Sequence, residues 1–200
     1  MSLLELEGVF AGYGGGDVLQ GLDLLEASGS GDELDFDPHV WLDPVRFAQI
    51  VLRIGDALGR TDQATALAAQ LRNLDDEYRQ GLKQCDRREI VTSHAAFGYL
   101  AQRYKLEQIP LTGLTPEAEP TAHDLERVVR RVEESHATTV FFETLVSPRL
   151  AETIARESGA RTAELNPIEG LSEDELARGE NYFTVMRANL ESLRQALGCH

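Results

Sequence analysis

Long apolar runs are missing from this sequence. The longest, such as residues 139–142, are far shorter than the roughly 20 residues that a transmembrane helix needs, so we expect no membrane span. The first residues also lack a basic stretch followed by an apolar one, so we expect no signal peptide in this chain. A hydrophobic share of 42% instead fits a soluble globular protein, and 200 residues suffice for one sizeable domain or for one domain plus an appendage.

Basic residues are few. The chain has 19 Lys and Arg against 34 Asp and Glu, which gives a formal net charge of −15. Nucleic-acid binding needs a basic surface to displace counterions, so this balance argues against a nucleic-acid partner. An acidic balance suits a protein that attracts cations, but most of these carboxylates are expected simply to form a solvated acidic surface.

Cysteine is also scarce. Cys85 and Cys199 are the only two, and they are too far apart for a Cys-x-x-Cys zinc knuckle. Taken alone, they are compatible with two buried thiols or with one disulfide. The first is favoured in a cytosolic protein and the second in an exported one.

Two enzyme motifs are absent. No Gly-x-x-x-x-Gly-Lys-Ser/Thr occurs, which excludes ATP hydrolysis of the P-loop type. No His-Glu-x-x-His occurs either, which counts against a metallohydrolase, and we expect no enzymatic activity.

The chain divides into three segments. Residues 1–36 are atypical, with a short edge strand predicted at 3–9 and Gly-rich breakers after it. Residues 37–84 hold a histidine-containing loop and a helical pattern that starts at Asp43-Pro44 and breaks at 59–62. The helices on either side of this break are predicted to form one long linking rod. Residues 85–200 form the third segment.

Strands and helices alternate in residues 85–200. Strands are predicted at 89–93, 107–112, 138–142 and 161–165, and helices at 95–104, 121–134, 147–158 and 181–197. This order predicts an α/β fold with a parallel sheet of about four strands flanked by helices.

Potential metal ligands follow the strands of this sheet. His94 follows the first strand, Glu119 the second, Glu143 the third, and Asn166 and Glu169 the fourth. Ligands bind beyond the carboxyl ends of parallel strands, and imidazole with carboxylate suits Zn²⁺ or Mn²⁺. Taken alone, a histidine in this position is more often a core histidine bonded to the backbone than a metal ligand.

His39 lies outside the sheet, in the loop 37–44 (Asp-Pro-His-Val-Trp-Leu-Asp-Pro). Prolines stiffen this loop and the only tryptophan flanks the histidine. A ring nitrogen is therefore well placed to point inward to a metal. Taken alone, however, such a histidine is more often structural and bonds a backbone carbonyl.

Several motifs in order strongly resemble the zinc- and manganese-specific substrate-binding proteins of ABC importers. They are residues 37–44, 91–99 (Val-Thr-Ser-His-Ala-Ala-Phe-Gly-Tyr), 113–120, 142–148, 165–171 (Leu-Asn-Pro-Ile-Glu-Gly-Leu) and 182–190. The resemblance covers residues 37–200. It implies a linking helix and one lobe of a two-lobed protein that holds metal between its lobes, captures it outside the membrane and delivers it to a permease.

The resemblance also implies roles for individual residues. His39 and His94 stand at ligand positions, and histidine at the second position favours Zn²⁺ over Mn²⁺. Asn166 stands where many members have an aspartate ligand; because an amide is a poorer ligand than a carboxylate, Glu169 is the preferred one. Glu119 and Glu143 would orient the histidines, or else cap helices or lie in solvated loops.

Further expectations follow from the resemblance. Cys85 and Cys199 should pair, and a lobe face left uncovered should favour self-association.

The family's first lobe is not recognisable in residues 1–36. Residues 3–24 look like the start of an ABC ATPase. Either a gene rearrangement joined the start of an ATPase to the binding protein, or residues 18–27 are the family's own segment and the earlier likeness is accidental. A non-functional fragment, a manganese-specific relative and an adhesin are the alternatives to a zinc carrier.

Overall fold

A computed structural model describes residue 25 and residues 36–113, 122–143 and 149–200. Glu119 and nearly all of segment 1–36, including the strand predicted at 3–9, lie outside these residues. No helix in the described part of the chain is long and apolar enough to cross a bilayer.

From β1 to β4 the strands and helices alternate as the sequence predicts. The helices are α1 (Pro44–Ala57), α2 (Thr61–Gly81), α3 (Gly98–Tyr104), α4 (Ala122–Ser135), α5 (Arg149–Ser158), α6 (Glu173–Ala177) and α7 (Tyr182–Leu197). The strands are β1 (Glu89–Thr92), β2 (Glu107–Pro110), β3 (Thr139–Phe142) and β4 (Arg161–Glu164). The predicted helix 95–104 begins as a 3₁₀ turn over Ala95–Phe97.

All four strands are parallel and lie in the order β2-β1-β3-β4. The α/β class and the four-stranded parallel sheet are therefore confirmed. Because β3 lies between β1 and β4, Glu143, which follows β3, stands between the segments that follow β1 and β4.

Side chains of the strands alternate between two cores. Ile90 and Phe141 pack in one cluster with α2, α3 and α7, whereas Val91 and Val140 pack in the other with α4 and α5. The alternation follows from the two-residue period of a strand, and it buries both faces of the sheet as expected for parallel strands.

The predicted rod through residues 44–83 is not formed. α1 begins where the Asp43-Pro44 signal predicts, with the Asp43 carboxylate accepting hydrogen bonds from two backbone N–H groups of its first turn. The chain then reverses through Gly59, whose φ of +63° is left-handed. Ala48 of α1 packs in one cluster with Ala68 and Leu71 of α2, so the two helices form a hairpin and α2 alone leads to the sheet.

The small helix α6 was not predicted. Ser172 accepts a hydrogen bond from the backbone N–H of Glu175, whose side chain in turn bonds the backbone N–H of Ser172. The Ser-x-x-Glu spacing of such a capping box is visible in the sequence and could have indicated this helix.

A disulfide joins Cys85, after α2, to Cys199, after α7. It lies beside the amino ends of the strands, since Arg87 and Arg88 lead from it into β1.

Candidate metal centre

Three potential metal ligands meet at the carboxyl ends of the strands. Nε2 of His39 lies 2.9 Å from Oε1 of Glu169 and 3.4 Å from Nε2 of His94. Nε2 of His94 lies 3.4 Å from the same oxygen. Within the described ranges, these three residues are the one group of His, Cys, Asp and Glu whose atoms converge closely enough to hold a metal ion.

The sheet supplies two of the three ligands. His94 follows β1 by two residues, and Glu169 stands in the loop that follows β4. His39 comes from the loop before α1 and reaches the sheet because Trp41 donates a 2.8 Å hydrogen bond from Nε1 to the carbonyl of Pro167. Loop 37–44 is thereby tied directly to the loop that carries Glu169.

Each histidine is backed by a buried carboxylate. Nδ1 of His94 lies 2.6 Å from Oε1 of Glu143, and Nδ1 of His39 lies 2.7 Å from Oδ1 of Asp37. Such contacts fix the orientation of an imidazole and leave Nε2 directed at the shared point. Both rings are almost fully buried, at 0% and 1% exposure.

The role of Asp37 was missed from the sequence. Asp37 is the first residue of loop 37–44 and no role was predicted for it, although an Asp two residues before a candidate ligand was a usable signal. Its carboxylate also accepts a 2.9 Å hydrogen bond from the backbone N–H of His39. The Tyr99 hydroxyl donates a 3.0 Å hydrogen bond to the carbonyl of Asp37 and ties this loop to α3.

Asn166 lies in the same loop as Glu169, but its side chain contacts other groups. Its Oδ1 accepts a 2.8 Å hydrogen bond from the backbone N–H of Ile168, and its Nδ2 donates one of 3.2 Å to Glu175. The turn places Ile168 at a φ of +58°, a left-handed conformation that is unusual for a branched residue. Asn166 thus shapes the turn that presents Glu169.

The charges in the cluster depend strongly on one another. Burial lowers the pKa of His94, but its hydrogen bonds to Glu143 and Glu169 outweigh this and raise the pKa to about 9. Burial likewise lowers the pKa of His39, and hydrogen bonds to Asp37 and Glu169 raise it more. The hydrogen bonds from His39 and His94 lower the pKa of Glu169 to about 2. The three pKa shifts show that the cluster favours positive charge on its imidazoles and negative charge on Glu169.

The three atoms form a triangle of the size that a tetrahedral zinc site requires. Zn²⁺ bonds to nitrogen and oxygen are about 2.0–2.1 Å long, so neighbouring ligands of a tetrahedral ion stand ~3.3 Å apart. The observed separations of 2.9, 3.4 and 3.4 Å match this spacing. The Glu169 side chain is 32% exposed, so the cluster opens to the surface on that side.

A family model described as the periplasmic component A of the zinc-uptake complex, ZnuA, matches residues 9–196. The zinc-binding lipoprotein AdcA of Streptococcus pneumoniae is 40% identical over 174 residues, which cover 82% of this chain and 35% of that protein. The high-affinity zinc uptake system protein ZnuA of Bacillus subtilis is 35% identical over 197 residues, covering 89% and 62% of the two chains.

Solved structures agree with these matches. The Zn(II)-bound ZnuA-like domain of Streptococcus pneumoniae AdcA superposes with a TM-score of 0.73 at 39% identity, covering 90% of this chain and 68% of that one. The present chain spans about a third of the length of AdcA.

Proposed function

Since this chain belongs to the ZnuA family of periplasmic zinc-uptake components, we propose that it binds Zn²⁺ outside the cytoplasmic membrane and delivers it to the permease of an ABC importer. One observation carries the proposal: two buried imidazole nitrogens and one carboxylate oxygen converge within 3.4 Å of one another. His39, His94 and Glu169 are the proposed zinc ligands.

The carboxylates that hold the two histidines support zinc binding. Asp37 and Glu143 are both buried, at 5% and 4% exposure, and each accepts the Nδ1 proton of a ligand histidine. With Glu169 they bring three carboxylates to two imidazoles, and this negative charge favours a divalent cation once the imidazoles lose their extra protons.

The ligand types favour zinc over manganese. Imidazole nitrogen suits Zn²⁺, whereas Mn²⁺ prefers oxygen ligands, and two of the three proposed ligands are imidazoles. Glu169 is proposed ahead of Asn166 because its carboxylate is directed at the histidines, whereas the amide of Asn166 is engaged by Ile168 and Glu175.

Three protein ligands leave one position of a tetrahedron, which we expect water to fill in this chain. An open position is also what a metallohydrolase would use. The family is nevertheless one of solute-binding proteins, and we expect capture and release of zinc without turnover.

The Cys85–Cys199 disulfide supports an extracytoplasmic location, because disulfides persist in oxidising compartments. We further propose that the face around Glu169 is covered by another protein surface in the working state. In the isolated chain this face should favour self-association, which light scattering over a range of concentrations would detect as a rising mass.

Zinc titration in competition with a chromophoric chelator tests the proposed ligands. His94→Ala and His39→Ala should each weaken zinc binding by about tenfold or more, because each removes one metal bond. His200→Ala is the matched control, since its side chain is 73% exposed and lies outside the cluster. Equal zinc affinity in the parent and in His94→Ala would overturn the proposal.

A further inference from the structure

A cavity of about 420 Å³ lies away from the metal centre, at the opposite edge of the sheet. Arg88 precedes β1 and Lys105 follows α3, whereas His94 follows β1, so the cavity stands at the amino ends of the strands. Five basic side chains line it: Arg79, Lys83, Arg88, Arg103 and Lys105. The other two lining residues are Leu82 and Tyr104, and none is acidic.

This concentration of positive charge is unexpected in a chain with a net charge of −15. The whole sequence contains only two lysines, Lys83 and Lys105, and both line this one cavity. They come from different elements, one just after α2 and the other just after α3, and the fold alone brings them together.

Two of the three arginines, Arg79 and Arg103, are held in place by carboxylates that do not line the cavity. Nε of Arg79 donates a 2.7 Å hydrogen bond to Asp75, and Nε of Arg103 donates one of 2.7 Å to Asp43. In both side chains the terminal nitrogens have no hydrogen-bond partner among the described residues. Anchoring through Nε fixes the plane of a guanidinium and leaves its outer N–H groups ready for an oxyanion.

The carboxyl ends of two helices explain part of this grouping of basic residues. α2 and α3 both end here, and basic residues favour the negative end of a helix dipole. Arg88 serves this purpose, since its terminal nitrogens donate to the carbonyls of Leu82 and Lys83 at 2.8 and 3.1 Å. The two lysine ammonium groups have no such partner within the described ranges, and the helix ends do not account for their meeting.

We propose that this cavity binds an oxyanion of the phosphate class, carried by a small phosphate ester or by a lipid headgroup. Arg forks and Lys ammonium groups are the side chains that recognise phosphate. The buried side chains of Leu82 and Tyr104 give the cavity an apolar floor. The volume lies within the range of small-molecule sites, which leaves room for an organic group beside the phosphate.

The two lysines make the test specific. In metal-free protein labelled with ¹³C at the lysine ε carbon, only two lysine signals arise. Both should shift saturably with inorganic phosphate, and neither should shift with sodium chloride at the same ionic strength. Lys83→Gln/Lys105→Gln should weaken phosphate binding about tenfold or more by calorimetry.

Arg130→Gln/Arg161→Gln makes the same change in net charge at exposed positions outside the cavity. This control should bind phosphate within about twofold of the parent, because isolated surface charges contribute little. An equal loss in the control, or equal lysine shifts with chloride, would show a general charge effect and overturn the proposal. Zinc affinity should be the same in the lysine variant and the parent, so this outcome is independent of the metal site.

Vesicles distinguish the two sources of phosphate. Sedimentation of the parent, but not of the lysine variant, with phosphatidylglycerol vesicles and not with phosphatidylcholine would assign the cavity to a lipid headgroup. Saturable binding of phosphate without vesicle binding would assign it to a soluble ester. If the protein bound neither phosphate nor vesicles, the basic residues would serve only the ends of α2 and α3, and the proposal would be rejected.

Discussion

Nδ1 of His94 lies 2.6 Å from Oε1 of Glu143, and the second oxygen of that carboxylate is buried without a hydrogen-bond partner in the described part of the chain. A buried carboxylate with one unpaired oxygen is costly for the fold unless a positive charge stands nearby. A protonated imidazole or an imidazole bound to a cation provides this charge. The pair thus links the stability of the β3 end to the occupancy of the proposed metal site.

Glu143→Gln should weaken zinc binding about 10- to 100-fold, because the amide keeps the size of the side chain but not its charge. The measurement is a chelator competition on the parent and on the variant. Glu133→Gln is the control, since Glu133 is an exposed carboxylate on α4. An unchanged zinc affinity in Glu143→Gln would mean that Glu143 does not support the histidine.

Protons should compete with zinc. Since the pKa of His94 is raised to about 9, its ring carries a proton near neutral pH that zinc must displace, and the raised pKa of His39 adds to this competition. Zinc affinity should therefore rise between pH 6 and 8, by about tenfold per pH unit for each proton displaced. Calorimetry at pH 7 in two buffers of different ionisation enthalpy measures the released protons. Heats that do not depend on the buffer would contradict the expectation.

Asn189 should hold the loop that carries Glu169. Its Oδ1 accepts a 2.9 Å hydrogen bond from the backbone N–H of Asn166, and its Nδ2 donates one of 2.7 Å to the carbonyl of the same residue. Asn189→Leu leaves both buried backbone groups unpaired, which should cost about 2–5 kcal/mol of stability. Zinc binding should weaken as well, because the Glu169 turn loses its support.

Urea unfolding followed by Trp41 fluorescence tests this variant. Trp41 is the only tryptophan, and its Nε1 bonds the carbonyl of Pro167 in the same loop, so its emission reports on that loop directly. Asn73→Leu is the matched control, because it makes the same substitution at an exposed position of α2 and should change stability by less than about 0.5 kcal/mol. A stable Asn189→Leu variant with normal zinc affinity would refute the support role.

Gly55 should be required for the hairpin of α1 and α2. A Cβ at this position would overlap Cβ of Ala64, which no packing tolerates. Gly55→Ala should therefore destabilise the chain by about 1–3 kcal/mol, although alanine at an exposed helix position would stabilise it. Thermal unfolding of Gly55→Ala and of Gly55→Ala/Ala64→Gly makes the test, because the second change removes the opposing methyl group. If the single variant were as stable as the parent, the close approach would be wrong.

Sequence patterns predicted the strands well because their signals are local. Short predicted strands that alternate with segments of helical periodicity favour a parallel sheet. His94 and Glu169 could then be placed at one edge, since the carboxyl ends of all parallel strands share it. His39 was a candidate from its proline-stiffened loop, but only the resemblance of loop 37–44 to a known family joined it to this site.

The hairpin of α1 and α2 and the direction of individual side chains could not be predicted without the tertiary structure. The break at 59–62 was visible, but whether α2 continued or reversed depended on packing between the two helices, such as that of Gly55 against Ala64. The amide of Asn166 is a candidate ligand from sequence, but in the fold Ile168 and Glu175 engage it. A side chain is directed by its partners, and those partners are chosen by packing.

The sequence by itself determined the class of fold, the edge of the sheet at which ligands gather, and the residue types suited to zinc. Only the tertiary structure decided that Asp37 and Glu143 back the two histidines and that Lys83 and Lys105 line one cavity at the opposite edge. The physical reason is that periodicity is a property of neighbours along the chain, whereas hydrogen-bond pairs and charge clusters form between distant residues after the sheet has closed.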